Sequence, residues 1–202
     1  MKLYFSPGAC ALASQIALRE AGFGFDLVPV NLKDKTYAGG DYYQINPKGY
    51  VPALQMKDGA VLTEGVAILQ WIGDQAPDKN LIPKAGTPER THAVEWLNFI
   101  STEMHKGFAA LFYPQNLSEE GLKATHDKIQ KRLAHLDKHL SNKEYILGNG
   151  FSVVDAYAFN ILRWTRMLKI DTDSHKNVLG FIDRVSARPS AQAALDGEGI
   201  RH

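Results

Sequence analysis

Cysteine is nearly missing from this chain: Cys10 is the single one among 202 residues. A lone thiol closes no disulfide within the chain and furnishes no cysteine-rich zinc site, so any partner sulfur must come from outside. A surplus of charge is missing as well, with 23 Lys+Arg against 22 Asp+Glu and a formal net charge of +1. That balance excludes field-driven binding to nucleic acid or to an anionic membrane and favours a small or partly apolar ligand. No apolar run reaches membrane-spanning length, and Pro7 and Gly8 break the opening segment before the core of an export signal can form. The expectation is a cytoplasmic protein with neither a nucleic-acid nor a membrane partner. Internal repeats and low-complexity tracts are also lacking. What is present, 45% apolar and 22% charged residues, suits an ordinary folded globular chain.

The first part alternates element types. Residues 2–5 and 25–30 are rich in β-formers and flank a helical stretch over 9–21, which makes a βαβ unit. After a loop containing Gly39-Gly40, residues 52–56 and 60–62 flank Lys57-Asp58-Gly59, and Asp-Gly between apolar runs predicts a hairpin. A helix over 64–74 follows. This order predicts an α/β, thioredoxin-like half over 1–80 with a mixed four-stranded sheet covered by helices. Pro77, Pro83, Gly86 and Pro88 then mark a linker, after which strand patterns stop. Thr87-Pro88-Glu89 supplies an N-cap, a first-position proline and an early acid, and Ala93, Leu97, Ile100, Met104, Phe108 and Leu111 form one apolar stripe. Ile129, Leu133, Leu136 and Leu140 form another. A helix opening at Ser152-Val153-Val154-Asp155 runs through Trp164, and 178–187 gives a further one, so 87–202 is expected to be an all-α domain.

Few polar signals carry chemistry. Cys10 follows a strand and the turn Ser6-Pro7-Gly8, which places it in the first turn of the first helix, where unpaired N–H groups favour an anion and lower a thiol pKa. Position alone leaves a second reading open, a small buried apolar group. Ala13 stands where dithiol oxidoreductases of this fold carry a second cysteine, so the outside partner thiol is best supplied by glutathione. Val51-Pro52 enters the third strand either through an ordinary turn or through a cis bond that offers the Val51 backbone to an extended peptide. Glu64 and Gly65 open the third helix, where amides take a carboxylate and Glu64 takes an ammonium, or where Glu64 merely complements the helix dipole. At ~100° per residue, Asn98, Thr102 and His105 fall within a wedge of ~60°, with Glu103 turned ~160° from His105. His105 is read either as structural or as a hydrogen-bonding and proton-relaying group. His135 and His139 have the i, i+4 spacing of metal ligands but no completing set, so they read as a solvated face and no metal is expected. Gly148-Asn149-Gly150 reads as a turn.

Four segments in order carry a resemblance: Ser6-Pro7-Gly8-Ala9-Cys10, Asn46-Pro47-Lys48-Gly49-Tyr50-Val51-Pro52, Thr63-Glu64-Gly65-Val66-Ala67-Ile68, and residues 95–108. With Ser152-Val153-Val154-Asp155-Ala156-Tyr157 and Leu162-Arg163-Trp164 they resemble a bacterial glutathione S-transferase of the cysteine-containing, beta-type class across essentially the whole chain. The resemblance implies a cytosolic, homodimeric detoxification enzyme joining glutathione, as co-substrate without further cofactor, to hydrophobic electrophiles. It also implies a mixed disulfide and thiol-disulfide exchange at Cys10, and an electrophile cleft between the domains. It sets Cys10 and His105 as catalytic. The implied glutathione contacts are Cys10, Lys35, Val51, Glu64, Gly65, Asn98, Thr102, Met104 and His105, with Glu103 reaching the glutathione of the neighbouring subunit. Tyr50 departs from the Gln or Lys frequent in relatives. Without the resemblance Lys35 reads as a solvated loop charge, and a non-catalytic ligand-binding protein on the same fold is the rival reading.

Overall fold

A computed structural model of the chain describes residues 1–148 and 150–200. Asn149, within one expected turn, and residues 201 and 202, the end of the expected helical domain, lie outside the described residues. Two compact units emerge: Met1–Ala85 together with the stretch from Ala187 onward, and Gly86–Ser186.

In the first unit β1 (Lys2–Phe5) is central because three of its four side chains are apolar and buried. It pairs in parallel with β2 (Asp26–Asn31), the helix α1 (Ala11–Glu20) forming the crossover. Two very short strands follow, β3 (Thr36–Tyr37) and β4 (Gly40–Asp41), and then the hairpin β5 (Ala53–Gln55) and β6 (Val61–Thr63). The sheet order is β4-β3-β2-β1-β5-β6, with every pairing except β1–β2 antiparallel. The thioredoxin-like mixed sheet is as expected, but it has six strands rather than four. The extra pair is a hairpin of two-residue strands around Ala38-Gly39, too short to show any alternation in sequence. The helix α2 (Gly65–Gln75) follows β6.

The helix α1 is buried at every position from Ala11 to Leu18, which requires cover on all sides. Besides β1 and α2, that cover comes from α9 (Pro189–Gly197), which the sequence reading left inside the helical domain. The reason is visible in α9 itself: Ala191, Ala194 and Leu195 are buried, and small residues allow close approach to α1. The Arg188 guanidinium donates twice to the Glu20 carboxylate, at 2.8 and 3.0 Å, and Ser190 donates to it as well.

The second unit is all-helical. Thr87 accepts the Arg90 N–H at 3.2 Å and Pro88 occupies the first position of α3 (Pro88–Phe99), as its sequence signals require. The expected long helix is not uniformly α: Ile100–His105 is a π-helix, and α4 (Lys106–Leu111) resumes the α pattern. The helix α5 (Glu119–His139) buries Ile129, Leu133 and Leu136. The helix α6 (Val153–Leu162) is buried throughout and forms the centre of this unit. The expected continuation to Trp164 divides after Leu162, and α7 (Trp164–Met167) and α8 (Lys176–Ser186) complete the unit. No helix among the described residues is long and apolar enough to cross a membrane.

Candidate functional site

In the first unit, Cys10 stands at the N-cap position of α1, half-buried, with its Sγ donating to the Val51 carbonyl at 3.3 Å. The Val51-Pro52 bond is cis. The segment leading into it is tied down from two sides: the Tyr42 hydroxyl and the Asn46 amide both donate to the Tyr50 carbonyl, at 2.8 and 2.6 Å. Burial pushes the Tyr42 phenol up to about 12, so it remains a donor at any physiological pH. Asn46 also accepts from the Lys48 N–H at 3.1 Å, closing the turn. Gly49 sits in that turn at φ +69, a backbone conformation that favours glycine. Neither Tyr42 nor Asn46 had been assigned a role from sequence, although Asn46 opens one of the quoted motifs.

The patch continues past Pro52. Gly65 begins α2 close against the Pro52 ring, 3.8 Å from the position its own Cβ would take. The leading amides of α2 provide N–H donors that no preceding turn can satisfy. Glu64 has φ +70, a strained conformation for a residue with a side chain, of the kind that clusters at functional sites. Its carboxylate does not cap α2 but meets Lys48 Nζ at 2.6 Å, while that ammonium also donates to Thr63 at 2.9 Å. Lys35, too, has φ +54, and its ammonium donates to the Gly49 carbonyl at 2.9 Å and lies 5.6 Å from the centre of the Tyr50 ring. It is half-buried and engaged rather than a solvated loop charge. Cys10, Val51, Glu64 and Gly65 are thus joined through neighbouring contacts in one unit, and Lys35 reaches the same 49–51 segment.

The second unit holds the other candidates. Asn98 and Thr102 are exposed and adjacent, the Thr102 hydroxyl donating to the Asn98 carbonyl at 3.0 Å. The π-helix starts between them, so the ~100° wheel used to place His105 does not apply beyond Ile100. Met104 is fully buried, so a ligand contact at this position would fall to its backbone. Glu103 accepts from Arg132 Nε and Nη2 at 3.0 and 2.6 Å, and Lys128 Nζ lies 3.3 Å away. Hydrogen bonds from Arg132 and then Lys128 hold this carboxyl below its ordinary range. Its charge is thus matched within its own chain.

His105 ends the π-helix. Its Nδ1 lies 2.7 Å from the Tyr157 hydroxyl of α6, and its ring meets Trp164 edge-on with centroids 5.0 Å apart. Burial, with a smaller contribution from Lys106, pushes its pKa down to about 4, so the imidazole is neutral near pH 7. Sequence reasoning missed Tyr157 as a partner even though it closes a quoted motif. Of the expected solvated pair, His135 is exposed and stacks on Trp96, whereas His139 is half-buried and its Nε2 donates to the Ile146 carbonyl at 2.7 Å. Among the described residues no group of three or more His, Cys, Asp or Glu is placed to hold a metal ion.

These observations meet independent comparisons. Residues 1–74 match the model of the glutathione S-transferase N-terminal domain, and residues 99–189 that of the C-terminal domain. Glutathione S-transferase GstA of Escherichia coli O157:H7 is 43% identical over the full length of both chains. BphK, a bacterial glutathione S-transferase solved as a ternary complex, superposes with a TM-score of 0.96 at 47% identity, covering 99% of this chain and 100% of its own. The beta-class glutathione S-transferase of Sphingomonas chungbukensis gives 0.94 at 44% identity, covering 100% of each chain. Matched by both domain models and alike from end to end to these relatives, with a thiol at the mouth of its first helix, this chain is a member of the glutathione S-transferase family, of the bacterial beta type.

Proposed function

We propose that the chain conjugates glutathione to small hydrophobic electrophiles, with the first unit holding the tripeptide. The observation that carries this is the Cys10 Sγ at the start of α1, 3.3 Å from the carbonyl of Val51. The Val51 backbone suits an extended cysteinyl unit, the amides of α2 and Glu64 suit the carboxylate and ammonium of a γ-glutamyl group, and Lys35 suits a terminal carboxylate. Cys10 then lies beside the substrate sulfur, where the amides of α1 favour negative charge. With an aryl halide, the glutathione sulfur forms the new C–S bond, the halide leaves with the electron pair of the broken bond, and the thiol proton passes to water. From the second unit, Asn98, Thr102, the Met104 backbone and His105 are the proposed further contacts, and Glu103 the contact to the partner's substrate.

The same sulfur supports a second reaction. A Cys10 thiolate attacking oxidised glutathione yields a Cys10–glutathione mixed disulfide and releases one reduced glutathione. Cytoplasmic location and a homodimer belong to the same proposal, and light scattering on the purified protein tests the second. A glutathione resin with an aryl-halide assay tests the main reading: retention with turnover is expected, and retention without turnover would indicate a binding protein. Mass spectrometry after exposure to oxidised glutathione is expected to show one glutathionyl adduct on the wild type and none on Cys10→Ala. An unmodified wild-type chain would remove the redox branch.

A further inference from the structure

The hydrogen bond between His105 and Tyr157 has a direction, and that direction decides which ring nitrogen is available for chemistry. Tyr157 is only 4% exposed, and its hydroxyl stands 2.7 Å from Nδ1. A neutral imidazole has one N–H and one lone-pair nitrogen. A phenol O–H is a stronger donor than an imidazole N–H, and the imidazole lone pair is a stronger acceptor than a phenol oxygen. The short contact is therefore O–H···Nδ1, and the ring hydrogen resides on Nε2.

We propose that Tyr157 is a positioning residue, donating to Nδ1 of His105 so that the imidazole is held as the tautomer whose Nε2–H is a hydrogen-bond donor. The ring is also held in place by its walls. Trp164 meets it at an interplanar angle of 66° and the Tyr157 ring at 84°. The charged groups around it do not favour an imidazolium. Lys106 follows it directly and is cationic, while Glu103 is turned onto Arg132 and Lys128 of α5. Among the described residues no carboxylate hydrogen-bonds the ring. A neutral Nε2–H can donate to an anion without taking up a proton, so His105 is a fixed donor and not a proton relay. This deepens the proposed function and rests on its reading that His105 serves the thiol chemistry.

The test uses nitrogen-15 NMR of the full-length labelled protein, with the His105 signals identified by their loss in His105→Gln. The expected wild-type spectrum shows Nε2 protonated and Nδ1 as a hydrogen-bonded acceptor, unchanged between about pH 5.5 and 8. In Tyr157→Phe the Nδ1 signal is expected to shift towards that of a free acceptor. In the same variant kcat/KM for an aryl halide falls about fivefold, the scale of one lost neutral hydrogen bond, while the KM for glutathione holds. A proton on Nδ1 in the wild type, or His105 signals unmoved in Tyr157→Phe, overturns the proposal. Should Tyr157→Phe not fold, the wild-type tautomer alone decides. Full turnover by His105→Gln, with the expected tautomer in the wild type, would leave the tautomer assignment supported and overturn the part of the proposed function that relies on His105.

Discussion

Two titrating side chains of the second unit, His105 and Asp155, are shifted by the same burial with opposite effects on stability. The Asp155 carboxylate is fully buried, accepts from the Ile146 and Ser152 amides and the Ser152 hydroxyl, and opens α6. Its burial outweighs these bonds and pushes its pKa up to about 6. The folded state then holds a proton that the unfolded chain releases near ~4, so this contribution is complete below that value and fades as pH rises through about 6. His105 works the other way. Its folded pKa of about 4 lies below the unfolded ~6.5, so its contribution is complete above ~6.5 and is lost as pH falls towards 4. In urea unfolding across that window, His105→Gln is expected to lack an acid-labile contribution, on the order of 2–3 kcal/mol, that the wild type shows. Parallel curves for the two proteins would contradict the buried, neutral state of His105. That Ser152 and Asp155 open a helix was legible in sequence, because both lie within four residues. Tyr157 beside His105 was not, since 52 positions separate them.

At the scale of elements, the helices whose ends are signalled locally start where the sequence puts them. Thr87 caps α3 through its own hydroxyl, and Ser152 and Asp155 form the capping box that opens α6. The start of α8 is different. Its Asn177 and Val178 amides donate to the carboxylate of Asp137, an α5 residue, at 2.8 and 3.0 Å, and the Asn177 side chain donates to the same carboxylate at 3.0 Å. The cap comes from another helix, so no pattern around residue 176 announces it. Asp137→Ala is expected to destabilise the protein by about 1–2 kcal/mol, as the loss of a helix cap does, and Asp137→Asn by less. Chemical denaturation measures both, and an unchanged Asp137→Ala would show that the cap contributes nothing. The π-helix belongs to this scale too. Ile100–His105 kept a faultless apolar stripe in sequence, yet its backbone departs from the α pattern where Met104 is buried and Glu103 turns to α5.

For the molecule as a whole, the chain's last helix does not stay with its sequence neighbours. The helix α9 packs on α1, the helix that begins at Cys10, and buries Ala191, Ala194 and Leu195. Farther on, Glu198 accepts from the Gly8 amide at 2.9 Å, in the turn just ahead of Cys10. Glu20 adds an acid-sensitive element: its burial raises the pKa, but hydrogen bonds from Arg188 and Ser190 and the Arg188 charge bring it below normal. Its contribution is therefore present above the unfolded carboxyl pKa and lost as pH falls through the lower folded value. A chain ended after residue 186 is expected to lose several kcal/mol from the first unit, since removing one buried leucine alone costs ~2–5 kcal/mol. Thiol labelling of Cys10 during urea unfolding reads this directly, and labelling that tracks the full-length chain would refute it.

By itself the sequence determined the element types, the strand-helix-strand start, the Asp-Gly hairpin, the helical second half and the family, because each is written in short-range spacing or in motifs kept in order. Only the tertiary structure decided that the last helix closes on the first unit, that Tyr42 and Asn46 hold the Tyr50 carbonyl, that Glu64 turns to Lys48, and which groups surround His105. These are contacts between segments far apart in the chain or choices among several available donors. They depend on which surfaces burial brings together, and a linear spacing does not record that.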